Sequence, residues 1–151
     1  MESNGLELHP EKTRIANLHE AHEYFDFLGY RFKRTGQGRL GRFPSPKSVQ
    51  RLRAKLRPLT RRANGRSLEE IIRLSNRILQ GWYAYFKHTR ASGLSGVDGW
   101  VRMRLRSILR KRHKRKGRGK GLDHQRWPNA YFAKLGLFSL SAALAEKSSP
   151  R

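Results

Sequence analysis

Ser67-Leu-Glu-Glu70 opens a run so rich in apolar residues that most of its surface has to be covered: Ile71, Ile72, Leu74, Ile78, Leu79, Trp82, Tyr83, Tyr85 and Phe86. A serine followed three residues later by glutamate is a capping box. The serine hydroxyl accepts the amide of the glutamate, and the glutamate carboxylate reaches back to the serine's own amide. The spacing predicts a helix from Ser67 to the end of Gly81-Trp-Tyr-Ala-Tyr-Phe86, apolar over more than half its circumference and therefore central to whatever core exists. Trp82, Tyr85 and Phe86 stand at i, i+3 and i+4 on the side of Ile71, Ile78 and Leu79, so they are expected in the core. Tyr83 lies about 100° round from Trp82 and is the ring expected to face outward, where it could stack on a base.

Little else in the chain is so apolar, and the material that must pack on this helix is basic. Thirty-four Lys and Arg face 11 acids, a net charge of +23. Six of those acids fall in residues 1–26. Residues 47–66 hold eight bases and no acid, and residues 99–122 hold eleven bases and no acid. Exposed faces of ordinary proteins mix signs, so two acid-free blocks call for a polyanion to neutralise them, and nucleic acid is the first candidate. No apolar run approaches the roughly 20 residues of a membrane span. The N-terminus, MESNGLELHPEK, is acidic and polar where a signal peptide is basic and then apolar. The expectation is a cytoplasmic protein without membrane contact.

The local pattern places the two basic blocks on helices. Tyr24 to Phe32 is rich in strand formers broken at Gly29, and Thr35-Gly-Gln-Gly-Arg-Leu-Gly41 is turn chemistry, which together predict a β-hairpin whose second arm is Arg39 to Phe43. Ser45-Pro46 is an N-cap followed by a first-turn proline. Val49, Leu52, Leu56 and Leu59 then form the seam of a helix running to about Pro58, with Lys47, Arg51, Arg53, Lys55 and Arg57 on its other faces and Arg61 and Arg62 beyond. Arg90 to Gly99 reads as a loop, and Asp98 as the N-cap of a third helix beginning at Trp100, itself a core residue. Val101, Leu105, Ile108 and Leu109 give that helix its seam. Arg102, Arg104, Arg106, Arg110, Lys111 and Arg112 give it a basic remainder, continued by Lys114, Arg115 and Lys116. The stretch His113 to Gly121 reads as unstructured without a ligand. Trp127 to Leu140 carries enough apolar bulk for one or two helical turns.

Catalytic chemistry finds little support in these residues. The chain has no cysteine, hence no thiol nucleophile and no thiolate zinc site. His19-x-x-His22 is the nearest thing to a metal motif, and it reads as a pair of polar loop residues instead. Gly36, Gly38 and Gly41 are turn glycines without phosphate-loop spacing. No metal is assigned to any residue.

Four stretches, in order along the chain, carry a likeness to a known family. Leu6-Glu-Leu-His-Pro-Glu-Lys-Thr13, Phe27-Leu-Gly-Tyr-Arg-Phe32, Leu79 to Phe86 followed by Val97-Asp-Gly-Trp-Val-Arg-Met-Arg-Leu-Arg106, and Trp127 to Leu140 together resemble the C-terminal part of bacterial group II intron reverse transcriptase/maturases. In that family a GWxxYF block precedes LDxWxRxRLR, and Val97 stands where the family usually has leucine. The resemblance implies a mainly α fold: a three-helix thumb-like bundle preceded by a β-hairpin remnant of the palm, with a basic linker and a short C-terminal helical segment. The implied divisions are 1–43 (palm remnant), 44–116 (thumb or maturase domain) and 117–151 (linker and tail).

The resemblance further implies that Lys12 is a palm lysine assisting nucleotide addition, and that Phe27, Leu28 and Gly29 form a primer-grip-like hairpin. It gives the basic residues above a role in holding structured group II intron RNA, and with it an RNA/DNA template-primer duplex. The aspartate motif that binds the polymerase's metals is absent, and Asp26, Asp98 and Asp123 are the only aspartates. The expectation is therefore an RNA-binding maturase fragment that assists splicing and is inactive alone as a polymerase, with no cofactor of its own. Mg2+ belongs to the parent enzyme and the ribozyme. Two other readings share the charge: a structural RNA- or DNA-binding protein of the ribosomal kind, and one half of a split reverse transcriptase whose palm and fingers are supplied separately.

Overall fold

The computed structural model describes residues 24–90, 92–117 and 121–148. Lys12, and with it the palm-like segment and the histidine pair, lies outside the described residues.

A three-stranded antiparallel meander comes first: β1 (Tyr24–Phe27), β2 (Tyr30–Arg34) and β3 (Leu40–Pro44), in that order. The predicted hairpin is β2 and β3, with Lys33 opposite Gly41 and Arg34 opposite Leu40. The break at Gly29 makes a second hairpin. Leu28 (φ 54°) and Gly29 (φ 86°) both take left-handed backbone, the conformation of a two-residue turn whose twist matches the strands it joins. Asp26 faces Arg31 across this hairpin and accepts two hydrogen bonds from its guanidinium, at 2.8 and 3.0 Å.

Three main helices follow: α1 (Pro46–Leu56), α2 (Leu68–Phe86) and α3 (Ser92–Arg112). The predicted caps are in place. Ser45 Oγ accepts the Ser48 amide at 3.2 Å and Ser67 Oγ accepts the Glu70 amide at 3.1 Å. Pro58 stops α1 as expected, and a 3-10 turn over Pro58–Thr60 closes it. Helix α3 differs from the expectation. It begins at Ser92 rather than Trp100, because Leu94, Val97 and Val101 continue the seam of Leu105 and Ile108 toward the N-terminus, all of them buried. Burial along one stripe outweighs the poor helix propensity of a Gly- and Ser-rich stretch.

The C-terminal segment folds as three short helices, α4 (Asp123–Arg126), α5 (Asn129–Lys134) and α6 (Leu140–Ser148). Trp127, just after α4, with Phe132 of α5 and Leu140 and Leu144 of α6, completes one core with Leu52 and Leu56 of α1 and with Ile71, Ile72 and Leu79 of α2. The sheet joins this core through the end of α2. Trp82 stacks on Phe86 with ring centres 4.3 Å apart, Phe86 meets Tyr30 of β2 at 5.0 Å, and Phe25 and Phe32 stack within the sheet at 4.9 Å.

Two of the aromatic residues trade places relative to the helical periodicity. Tyr85, expected in the core, is 50% exposed. Its hydroxyl donates to the Leu28 carbonyl and its own carbonyl accepts from the Tyr30 hydroxyl, both at 2.5 Å, a reciprocal latch between the hairpin tip and α2. Tyr83, expected outside, is partly buried against Phe138 with ring centres 5.7 Å apart. The C-terminal segment covers the side of α2 that a three-helix bundle leaves open.

Candidate nucleic-acid interface

Helix α1 is narrow in apolar residues, so its cations project in two directions. Leu52 and Leu56 are buried toward α2. On one flank, Arg51 and Lys55 stand four residues apart, one turn of helix. They border a groove of about 680 Å³ whose other walls are the hairpin tip at Leu28 and Gly29 and, on α2, Arg77, Ile78, Gly81, Trp82 and Tyr85. On the other flank, Arg53 and Arg57 point at Trp100 of α3, their guanidinium carbons 5.2 and 5.6 Å from the ring centre. Lys47, Arg61 and Arg62 are exposed.

The primer-grip-like residues sit at the mouth of the groove. Phe27 is exposed, and Leu28 more so at 65%. The Gly29 carbonyl accepts the Ser48 hydroxyl at 2.8 Å and the Ser45 amide at 2.8 Å, fixing the hairpin tip to the start of α1. Among the residues placed in the expected core, Phe86 is buried, while Trp82 and Trp100 are half-buried.

Helix α3 uses its arginines largely on the protein itself. Arg104 Nε donates to Thr60 Oγ1 and its Nη2 to the Arg57 carbonyl, both at 3.1 Å. Arg106 is 3% exposed, donating to the Trp127 carbonyl at 2.8 Å and to Asn129 Oδ1 at 2.9 Å, with Phe132 under its guanidinium at 5.3 Å. Arg110 pairs with Asp123 at 2.7 Å and also donates to the Lys116 carbonyl. Arg112 donates to the carbonyls of Asn64 and Arg66. Burial holds the Arg104 and Arg106 guanidinium groups below their ordinary pKa, with the neighbouring charges of Arg57 and Arg102 adding to it respectively. Arg102 borders a second hollow, formed with α5 and the start of α6.

These clamps order part of the segment that reads as unstructured. Residues 113–117 form a turn closed by the Arg115 amide on the Arg110 carbonyl at 2.8 Å, with Lys114 and Gly117 at positive φ. Lys114, Arg115 and Lys116 of this turn, and Lys111 in the last turn of α3, are exposed. The clamps also bring the two acid-free blocks side by side, since Arg104 and Arg112 reach across to residues 57–66 and Arg62 Nη2 reaches the Arg115 carbonyl at 3.5 Å. Among the described residues, carboxylates pair with Arg31, Arg73, Arg110 and Arg126, and none with a cation of α1.

Asp98 caps a helix, though not the one expected. It lies within α3, 5% exposed, and its carboxylate accepts from the amides of Leu140 and Ser141 and from the Ser139 hydroxyl, each at 2.9 Å. It therefore satisfies the free N–H groups at the start of α6. Arg77 on the groove wall was not singled out from sequence. Its spacing of four from Gly81, the one gap in the side-chain cover of α2, is the signal that places it there. Among the described residues no group of three or more His, Asp or Glu side chains is arranged to hold a metal, and no helix is long and apolar enough to cross a membrane.

A basic helical bundle whose arginines divide between inner clamps and an outward face is a recognisable kind of domain. The family model of the group II intron maturase-specific domain matches residues 49–127, from the first turn of α1 to the tryptophan that Arg106 holds. That is more than half of the chain, and the chain belongs to this family. No curated protein matches it closely enough to count as a relative.

Proposed function

We propose that this chain binds group II intron RNA through phosphates and helical shape, and so stabilises the folded ribozyme for splicing, the RNA performing the chemistry. The observation that carries this reading is the convergence of two acid-free blocks. Helix α1, residues 57–66 and the turn after α3 meet in one region whose cations have no carboxylate partner among the described residues. Each phosphate neutralised there releases counterions, so affinity falls as salt rises. A-form RNA offers its backbone and the 2′-hydroxyls of a shallow minor groove, which suits contact by shape and charge. Any Mg2+ in the reaction is held by the RNA.

The test is binding of a group II intron RNA across a salt series. Replacing Arg51, Lys55, Arg61, Lys111 and Lys114 with glutamine should flatten the salt dependence and leave the circular dichroism spectrum unchanged. Wild-type affinity that does not respond to salt would overturn the reading. Arg106 and Arg110 are poor choices for this purpose, because their loss disturbs the fold.

One observation favours a second reading. The groove joins the hairpin tip at Leu28 and Gly29 to the cations Arg51, Lys55 and Arg77, which suits the end of a template-primer duplex in a polymerase assembled with a separate palm. Primer extension restored by adding that half, and lost on Arg77→Gln, would support it.

A further inference from the structure

The groove beside α1 combines two kinds of surface. One is aromatic. Trp82 stacks one ring face on Phe86 with centres 4.3 Å apart, and Tyr85 stacks one on Tyr30 at 5.7 Å. A ring covered on one face keeps the other for a further partner. Tyr85 is 50% exposed, and the hydrogen bond from its hydroxyl to the Leu28 carbonyl holds the ring in place where it lines the groove.

The other surface is cationic. Arg51 and Lys55 line the groove from α1 and Arg77 lines it from α2, all three exposed. Neither a side-chain hydrogen bond nor an ion pair ties any of them to a described residue, and no Asp or Glu lines the groove. On α2 the order Arg77, Gly81, Tyr85 sets cation, bare backbone and ring at intervals of about 6 Å, slightly more than one turn. A Cβ at Gly81 would meet nothing within 4 Å, so the space between cation and ring is open.

A phosphate alone would satisfy the cations and leave the rings uncovered. An apolar side chain would do the reverse. A nucleotide carries a flat ring and an anion on one short frame, and at about 680 Å³ the groove is within the range of pockets that enclose small ligands, about 300–1,000 Å³. Bases inside a duplex are covered on both faces by their neighbours, whereas the loops and bulges of folded RNA offer bases with a free face. We propose that the groove receives one unpaired nucleotide of the bound RNA, its base against Trp82 and Tyr85 and its phosphate among Arg51, Lys55 and Arg77. Stacking of this kind uses the π-face that every base has, so it tolerates any sequence. This deepens the function proposed above and rests on it: charge holds the RNA, and the groove selects where along it an unpaired base is seated.

The test is binding of the full chain to three RNA duplexes that share the same blunt ends: one fully paired, one with a single-nucleotide bulge, and one in which that bulge is abasic. The last two carry the same phosphates. The bulged duplex should bind about five- to a hundredfold more tightly than the abasic one, the effect of one stacked base. Equal binding by all three would overturn the proposal and favour the duplex end as the occupant. The preference should persist in Tyr85→Phe, which keeps the ring, and shrink in Tyr85→Leu, which does not. An equal loss in both would trace it to the latch with Leu28 and overturn stacking. Gly81→Leu fills the groove from a helical position with room for a side chain, and should abolish the preference. A preference intact in that variant would place the base elsewhere.

A second measurement needs no RNA. The Trp82 indole N–H signal is followed by NMR during titration with adenosine 5′-monophosphate and, separately, with ribose 5-phosphate. A saturable shift with the nucleotide and none with the sugar phosphate is expected, and equal responses would overturn base recognition. If RNA affinity ignores salt, the proposed function fails, and this titration still decides whether the groove takes a base.

Discussion

The carboxylate of Asp98, in the second turn of α3, accepts the backbone amide of Leu140, 42 residues further on, at 2.9 Å. One side chain thereby joins the longest helix of the bundle to the start of its last one. Asp98→Ala leaves the Leu140 and Ser141 amides without that acceptor and should destabilise the fold by about 1–3 kcal/mol. Asp98→Asn retains one carbonyl oxygen but loses the charge at the helix terminus, and should cost about half as much. Urea unfolding gives the magnitude. Hydrogen exchange locates it, and faster exchange is expected at Leu140 and Ser141 before any other core amide.

Arg110 and Asp123 form a nearly dry ion pair, Asp123 being 1% exposed. Removing the cation with Arg110→Met takes from that carboxylate its 2.7 Å partner; its contact with Arg126 is longer, at 3.4 Å. The expected loss is about 3–5 kcal/mol, that of breaking a buried pair from one side. An Arg110→Met/Asp123→Leu double variant should recover most of it. Thermal unfolding of the two variants decides; a double variant as weak as the single would show that the Lys116 carbonyl, not Asp123, is what Arg110 is needed for.

Gly81 and Gly93 should respond to alanine in opposite ways. A Cβ at Gly93 would lie 2.9 Å from Pro44 Cδ, so α3 and β3 could not keep their present spacing. A Cβ at Gly81 would meet nothing within 4 Å. Gly93→Ala is expected to destabilise, while Gly81→Ala should stabilise α2 by about 0.5–1 kcal/mol, the ordinary difference within a helix. If Gly81→Ala raises the melting temperature and weakens RNA binding together, the glycine serves close approach of a ligand in the groove. Unchanged binding would remove that role.

The charge around His88 has a measurable sign. Lys147 first, then slight burial and the charges of Arg42 and Lys87, hold its imidazole below the ordinary histidine value. Protonation is thus opposed in the folded chain, and the small contribution of this group to stability is present above the ordinary value and lost as the pH falls. NMR titration should show a depressed midpoint that rises with Lys147→Gln and with added salt. A midpoint unmoved by both changes would place the cause elsewhere.

The parts legible in sequence are those specified by near neighbours. The Ser45 and Ser67 caps, the Pro58 stop and the seam of Leu105 and Ile108 each depend on residues within one or two turns. The family likeness at Gly81 to Phe86 and Val97 to Arg106 is legible in the same way. Asp98 has the composition of a cap but serves a helix remote in sequence, and no local pattern encodes that. Tyr83 and Tyr85 escape the pattern for a related reason. Helical periodicity reports which side of α2 is apolar, but not that Phe138 covers one flank while the hairpin tip latches the other. The basic blocks are visible as charge; which arginines point inward depends on where carbonyls end in space.

That inward set has an evolutionary consequence. Arg104, Arg106, Arg110 and Arg112 grip the main-chain oxygens of Arg57, Trp127, Lys116, Asn64 and Arg66. A carbonyl oxygen is the same whatever side chain its residue bears. The gripped segments can therefore exchange their outward residues with the scaffold beneath them unchanged.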